Sequence, residues 1–572
     1  MSLTSSMYIA RSSLITSQIG LQVTAQNMAN AATPGYTRQI AMLQALRGRN
    51  ADPYQIGQGV GVQDVRRQID EALQRRLWNS NSAEYSSAQQ LNVLSQLETI
   101  LNEGTEFDMS TQLSTFFNAW TEATTLLDSQ ANILNQGGAL ASFINNMQSD
   151  LVQQREQLEE QIDAQVLLAD SILEEIASIN EIISSNEIGD AEASGLRDRR
   201  DQIVTELAQL MDVTVVETNS GGYDIYSGST PIVQGTNNRG IDISRVTVDG
   251  VLTVQVQLSA DSTPLPVASG SIGGLLASRD GAIDATLEKL DTLASQLIFE
   301  VNRLHSTGIN EDWLTGSAGT LQIGASDQLL ALNDPNNSTF ANLPFSAVNG
   351  SFSFEVRDTN GVVVSTALID IDLDGLNENG LPGYADDTTA EDIRAQLDAV
   401  PGINASFDSS GRLEIISDPG FSFSFQDDTS GVLATMGVNS FFEGTNASTI
   451  GVREDITVML GRMEGDQFIA NGTALTMGEL TTTASEGLGG LSISKFWAQQ
   501  SQDIAVKTSG ARTSANANRL VRESLDGQRA AVSGVSIDEE SLNLITYQRQ
   551  YQAAAQIITT AQQMFDTLLT LV

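Results

Sequence analysis

Few residues in this chain are of a type that does covalent chemistry, and their spacing argues against it. His305 is the only histidine. A zinc site built on it would need carboxylates for every other ligand, which is unusual for zinc. A Ser-His-Asp triad would need the same ring, and no G-x-S-x-G elbow accompanies it. His305 stands near a predicted helix end beside Ser306-Thr-Gly308, so capping or packing is the expected role. Asp370-Ile-Asp-Leu-Asp-Gly375 opens like a calcium loop. Its twelfth position is Leu381 instead of a bidentate glutamate, and no helices flank it. The expected account is a turn between strands with an acidic rim, with weak calcium binding left open. Carboxylate pairs are too common here to single out a glycosidase dyad. The run Leu196-Arg-Asp-Arg-Arg-Asp201 reads as a solvated helix face with i,i+4 pairs, a partner site being the alternative. No catalytic group, metal or cofactor is assigned, and the chain reads as non-enzymatic.

The more informative residues repeat at helical spacing at the two ends. Near the start, Leu3, Met7, Ala10, Leu14, Ser17, Leu21, Thr24 and Met28 recur at alternating intervals of three and four. Near the end, Leu544, Tyr547, Tyr551, Ala554, Ile558, Ala561, Phe565, Leu568 and Val572 do the same. Both are heptad stripes of the coiled-coil type. Ser536 and Glu539 form an S-x-x-E pair that predicts a capping box for the last helix. Charge is sparse on both helices, whereas a solvated surface helix usually carries more. Two such helices alone are marginal in water. The expectation is therefore that they are assembly arms, fully ordered only against neighbouring subunits. Two ordinary core helices that meet in a globular fold are the plainer alternative.

The whole chain has 572 residues, 71 acidic against 29 basic groups and a formal net charge of −42. That length suggests three to four domains. The charge argues against nucleic acid, since no cationic surface is available to displace phosphate counterions. It suits a soluble surface that resists non-specific association. There are no cysteines, so disulfides and thiolate chemistry are excluded. No apolar run is long enough to span a bilayer. The start lacks a basic segment followed by an apolar one, so no ordinary secretory signal is expected.

After the first helix comes Asn27-Met-Ala-Asn-Ala-Ala-Thr-Pro-Gly-Tyr-Thr-Arg-Gln39. Pro34-Gly35 fits the centre of a type II turn, with proline fixing φ and glycine supplying φ > 0. Asn30 suits the end of a helix. This segment resembles the N-terminal A-N-x-x-T-P-G-Y motif of the bacterial flagellar rod, hook and hook-associated proteins. Tyr547-Gln-Arg-Gln-Tyr551 and Ala561-Gln-Gln-Met-Phe-Asp-Thr-Leu568 resemble the far end of the same family. The Gly35-Tyr-Thr-Arg-Gln39 form and the long helical middle look most like the hook-associated members at the hook–filament junction.

The resemblance implies a structural protein that assembles as a homo-oligomeric ring or short helical layer. Its partners would be the hook protein on one side and a second junction protein or the filament on the other. It implies export through the flagellar type III apparatus to an extracellular flagellum, and an export chaperone docked on the C-terminal arm. It has the stripe residues Leu3, Met7, Leu14, Leu21, Met28, Leu544, Tyr547, Tyr551, Ile558, Phe565, Leu568 and Val572 carry the assembly. Asn27, Asn30, Thr33, Pro34, Gly35 and Tyr36 would set the angle between arm and outer domain. A hook or rod subunit, a cytosolic coiled-coil scaffold, and an enzyme or adhesin domain in the middle of the chain are the alternatives.

The expected fold is α+β and multidomain. Residues 1–40 and 535–572 form the arms. Residues 41–319 and 447–534 form a long-helix bundle with a small β element, and residues 320–446 an inserted β-rich outer domain. Residues 40–75 read as an extended linker with a hairpin. Helices are expected from about Asn79 to Ser185, over Glu192–Met211, Leu275–His305 and Lys495–Arg529, with Ser142–Ser185 as a long uninterrupted one. Strands and hairpins are expected over Val213–Leu258, broken by Ser220-Gly-Gly222, Gly228 and Asp249-Gly250. In the insert, strands are expected at Phe352–Val356, Val362–Ile371, Arg412–Ile416 and Phe421–Phe425, around one helix at Ala390–Ala399. Gly487–Gly490 is expected to restart the helix, and Gly534 to be the joint into the last arm.

Overall fold

The computed structural model describes residues 3–46, 57–126, 129–187, 192–248, 251–377, 379–465 and 467–570. Val572 of the last stripe and the Asp249-Gly250 break lie outside the described residues. The chain forms two compact units, each from separated segments. One takes residues 1–93, 157–280 and 508–572; the other takes residues 94–156 and 281–507. The fold is α+β with long helices.

In the first unit the chain opens with a helix, Leu3–Ala29, and closes with another, Ile537–Thr570. They lie antiparallel: Gly20 faces Tyr547, while Leu3 lies beside Ile557, Ala561 and Met564. Between Ala29 and the next helix, Gln39–Ala45 and Val60–Arg67 pair as an antiparallel hairpin with a register shift between Met42 and Leu43. The hairpin sits on the first helix, where Val60 N donates to Ser12 Oγ (3.3 Å). The helix expected from Asn79 begins earlier, as Glu71–Leu101; Asp70 caps it, its Oδ1 accepting from the Ala72 and Leu73 N–H groups. Leu73 and Leu77 pack on Leu525 of the helix Ile493–Ser533. Ser194–Leu210 follows. Then come a four-stranded antiparallel sheet (Thr214–Glu217, Tyr223–Ser227, Thr230–Gln234, Asn237–Asn238) and a hairpin, Ile241–Val248 with Val251–Leu258. The helix expected from Leu275 begins earlier, as Gly270–Ser278.

In the second unit, Met109–Ala123 buries Leu113, Phe116, Phe117 and Trp120. Ala285–Ser306 buries Leu290, Leu293, Leu297, Ile298 and Val301. The helix Gln130–Asn186 is 57 residues long, with residues 130–156 in this unit and 157–186 in the first. It starts twelve residues before the Gly-free stretch that marked it in sequence, because Gly137 and Gly138 lie inside it. At Gly137 an added Cβ would come within 2.7 Å of the Phe441 ring, so a close contact fixes the glycine there.

The β-rich segment holds two three-stranded antiparallel sheets. In one, Gly350–Asp358 lies between Val363–Ile371 and Phe421–Gln426. In the other, Leu413–Ser417 lies between Ile403–Phe407 and Gly316–Ala318. The helix Ala390–Asp398 carries a full capping box between Thr389 and Asp392. Phe352, Phe354, Phe423 and Phe425 face Ile369, Ile393, Leu397 and Ile415 in one core. Gly487–Gly490 is a short 3-10 turn, and the helix restarts only at Ile493.

Candidate assembly surface on the terminal helices

The turn after the first helix is built as its residue types require. Tyr36 N donates to Thr33 O (3.2 Å), and Gly35 between them takes φ +77°, the type II geometry that proline at the second position and glycine at the third select. Asn27, almost fully buried, ties the helix to the strand that leaves the turn. Its Nδ2 donates to Gln39 O (2.9 Å), and its Oδ1 accepts from Gln39 N (3.0 Å) and from the Tyr36 hydroxyl (2.8 Å). Asn30 Nδ2 donates to Gln26 O (3.0 Å), and its Oδ1 accepts from Thr33 Oγ1 (3.3 Å). Burial, with Asp198 and Glu540 nearby, pushes the Tyr36 hydroxyl up to about 12. It therefore stays protonated and able to donate to Asn27 at neutral pH.

Arg38, next in chain, locks the last helix to this joint. Its N–H donates to Ser533 O (3.0 Å), its Nε pairs with the buried Glu540 (2.8 Å) and an Nη with Glu539 (3.0 Å). The capping box expected at Ser536 is thus half made. Ser536 Oγ accepts from Glu539 N (3.4 Å), while the Glu539 carboxylate turns to Arg38. A guanidinium at 3.0 Å offers a stronger partner than a neutral backbone N–H.

Beneath the joint lies a buried charge network. Arg67 pairs with Asp201 (2.6 Å), Asp198 (3.0 Å) and Glu192 (3.0 Å). Burial opposes the Arg67 charge, but Asp201 and Asp198 outweigh it and raise its pKa. Asp198 also accepts from Thr37 N (3.2 Å), and Asp201 from the Tyr223 hydroxyl (2.8 Å). Arg200, with no exposed surface, donates to Asn180 Oδ1 (3.0 Å) and Gly221 O (2.6 Å) and stacks 3.4 Å over the Tyr223 ring. The solvated face expected of Leu196–Asp201 is therefore wrong for Asp198, Arg200 and Asp201. Only Arg199, paired with Glu175 and about half exposed, fits it. The physical reason is that cations and anions distant in sequence converge here. Arg67 neutralises the two aspartates, so those charges enter paired, while Arg200 is held by Asn180, Gly221 and the Tyr223 ring, with its Nε and other Nη lacking a partner among the described residues.

Away from the joint the two terminal helices meet on small residues. Ala10, Thr16, Ser17, Gly20, Thr24 and Asn27 are the buried residues of the first helix; Glu540, Ala554 and Ala561 are those of the last. A Cβ at Gly20 would lie 2.6 Å from the Tyr547 ring. The larger stripe residues sit beside this seam. Leu3, Met7, Leu14, Leu21, Met28, Leu544, Tyr547 and Ile558 are half-buried, while Tyr551, Phe565 and Leu568 are exposed. A second set that the stripes did not include is also exposed: Tyr8, Ile15, Leu542, Ile545, Ile557, Met564 and Leu569. Its signal was present in sequence, since an almost uncharged helix carries apolar residues on more than one face. Exposed apolar surface of this extent on a helix pair makes it a candidate interaction surface.

The remaining singled-out residues fall elsewhere. His305 is fully buried. Its Nδ1–H donates to Asn439 O (2.7 Å), its Nε2 accepts from Met459 N (3.1 Å), and burial lowers its pKa to about 4. It is a neutral packing residue. Asp370 is on an edge strand opposite Ser351, and Asp372 and Asp374 are in the turn that follows.

The chain is similar to known flagellar proteins. A family model for the helical domain of the flagellar hook-associated protein FlgK matches residues 94–320, and one for the C-terminal part of the flagellar basal body rod FlgEFG proteins matches residues 528–571. Flagellar hook-associated protein 1 of Escherichia coli strain K12 is 25% identical over 98% of this chain and 98% of its own. That of Salmonella typhimurium strain LT2 is 26% identical over 98% of both. That of Bacillus subtilis strain 168 is 22% identical over 98% of this chain and 96% of its own. The flagellar hook junction protein FlgK of Burkholderia pseudomallei aligns with 80% of this chain and 100% of that chain, at 16% identity and a TM-score of 0.47. Both family models and all three sequence relatives are flagellar proteins, and the likeness to those relatives extends over nearly the whole chain. The relatives that match over nearly the whole length include hook-associated protein 1 sequences.

Proposed function

We propose that this chain is a structural subunit of the bacterial flagellum that assembles between hook and filament and is required for filament growth and motility. The observation that carries the reading is the terminal helix pair: closed on itself through small residues, with Phe565, Leu568, Met564 and Ile557 left outside. In this reading neighbouring copies cover that surface by heterologous contacts, which build a ring or short helical layer. The arms, residues 1–40 and 535–572, line the inner tube. Residues 41–319 with 447–534, and 320–446, form the outer domains. The buried joint around Asn27, Tyr36, Arg38 and Arg67 holds the angle of the arm. Hook protein lies on one side, and a second junction protein or the filament on the other. Among the described residues no helix is long and apolar enough to cross a membrane, in keeping with a subunit exported through the flagellar apparatus. A chaperone on the C-terminal arm would keep its apolar surface from assembling early. The full-length relatives and the helical-domain match favour this over a hook or rod subunit.

The test is deletion of Ser541–Val572 from the source organism's copy. Intact hooks without filaments, with filament subunits free in the medium, are expected. Normal filaments would refute the reading.

A further inference from the structure

Asp372, Asp374 and Asp387 each place a carboxylate oxygen within 4.8 Å of the other two. The first two leave the end of the strand Val363–Ile371. The third comes from the far end of the excursion that follows, just ahead of Thr389, the cap of the helix Ala390–Asp398. Asp387 is 2% exposed. Its Oδ2 accepts from Asn333 Nδ2 (2.6 Å) and Gly375 N (3.1 Å). Its Oδ1 is buried with no hydrogen-bond partner among the described residues, and so is Asn333 Oδ1. Buried acceptors without a donor are uncommon in folded proteins and call for an explanation. One cation would relieve both the crowding of negative charge and the unpaired oxygens.

We propose that Asp372, Asp374 and Asp387, together with Asn333 Oδ1, bind a calcium ion. The donors are all oxygen, three carboxylates and an amide, which suits a hard cation and disfavours zinc or copper. The carboxylates sit on a turn and a loop, one of them exposed, so water can complete a shell of six to eight ligands, as calcium accepts and magnesium's strict octahedron does not. The site is not a helix–loop–helix calcium hand. Asp370, the first residue of the sequence motif, is in the sheet, and the third carboxylate comes from Asp387, twelve residues after Gly375. That distance in sequence is why the motif alone did not complete the site. Bound calcium would tie the end of the strand to the start of the helix and close the excursion between them. The expected dissociation constant is on the order of 10⁻⁴–10⁻³ M, the range of extracellular calcium modules.

The experiment uses the full chain stripped with a chelator. Calcium is titrated by calorimetry, and melting is followed in calcium, in magnesium and in chelator. Terbium serves as a luminescent probe, because the Tyr384 ring lies near Gly375, 3.9 Å from where its Cβ would be, and can sensitise it. Saturable calcium heat, a melting temperature raised by calcium but not by equal magnesium, and terbium emission lost in Tyr384→Phe are expected. Asp374→Asn keeps the oxygen that accepts from Leu376 N (2.8 Å) and alters only an exposed side chain, so folding is preserved. It should weaken calcium by at least the roughly tenfold that even outer-shell changes cost. No calcium heat and no calcium-dependent melting in the natural chain would overturn the proposal, and so would an Asp374→Asn affinity equal to the natural one.

Discussion

The β-rich segment and the terminal helix pair use similar apolar side chains and treat them in opposite ways. Phe354, Phe423 and Phe425 have no exposed surface and pack tilted or edge-on against one another at 5.2–5.6 Å between ring centroids. Phe565, Leu568 and Leu569 are 48%, 51% and 65% exposed. The first region completes its core with its own chain, from strands as far apart as residues 350 and 426. The second spends small residues on its internal seam and holds the large ones outward. The difference teaches where folding ends and assembly begins. A region whose apolar surface is used up answers to substitution as a folded domain; one whose surface is left over answers as an interface.

The largest effect is expected in the self-contained core. Phe423→Ala removes a ring with no exposed surface and should cost about 3–5 kcal/mol. Calorimetry should show an early transition, while hydrogen exchange in the last helix stays unchanged. Loss of protection in that helix as well would erase the contrast between the two regions.

His305 sharpens the contrast through pH. Burial lowers its pKa to about 4 from the 6.5 it has when exposed. The unfolded chain therefore binds a proton first as pH falls. Stability is full above pH 6.5 and declines on acidification until pH reaches about 4, by about 3 kcal/mol in all. His305→Gln keeps a donor for Asn439 O and an acceptor for Met459 N but cannot titrate. Its melting temperature should lack that part of the acid slope; an unchanged slope would remove His305 as its source.

A smaller effect is expected on the arm seam. Gly20→Ala drives a methyl into the Tyr547 ring, which lies 2.6 Å from where the Cβ would be. The ring is half-buried and can shift in part, so the cost should be roughly 1–3 kcal/mol, the usual penalty of overpacking. Hydrogen exchange at the two terminal helices reads it, and Tyr547→Ala in the same chain should restore protection. No change from Gly20→Ala would mean that the helices do not meet on this seam.

Much of this contrast was legible in the residues themselves. The Pro34-Gly35 turn, the strands around Phe354 and Phe423, and the helix after Thr389 follow from local rules of turn, alternation and cap. The two terminal helices were readable from their stripes, and Ala10, Ser17, Thr24, Ala554 and Ala561 of those stripes lie in the seam. What the stripes did not show is that the small positions would be buried and the large ones left half-buried or exposed, nor that Gly20, which has no side chain to mark it, would join the seam. Local rules also failed where distant residues decide. The long helix runs through Gly137 and Gly138, ahead of its Gly-free stretch, and Phe441 packs against Gly137 there. Asp198, Arg200 and Asp201 read as solvated because Arg67, Asn180 and Tyr223, which bury and pair them, are remote in sequence. The short strand Ile403–Phe407 was missed because only its pairing with Leu413–Ser417 marks it.

The smallest effect on the isolated chain should be the largest in the flagellum. Phe565→Asp, Leu568→Asp and Leu569→Asp together change only exposed side chains. Each should shift the stability of the purified chain by no more than about 0.5 kcal/mol. In the source organism the same triple variant should leave hooks bare, with filament subunits released to the medium. An unchanged melting temperature with absent filaments is the result this account predicts. Normal filaments on the triple variant would contradict it, because the exposed face of the last helix would then have no neighbour to meet.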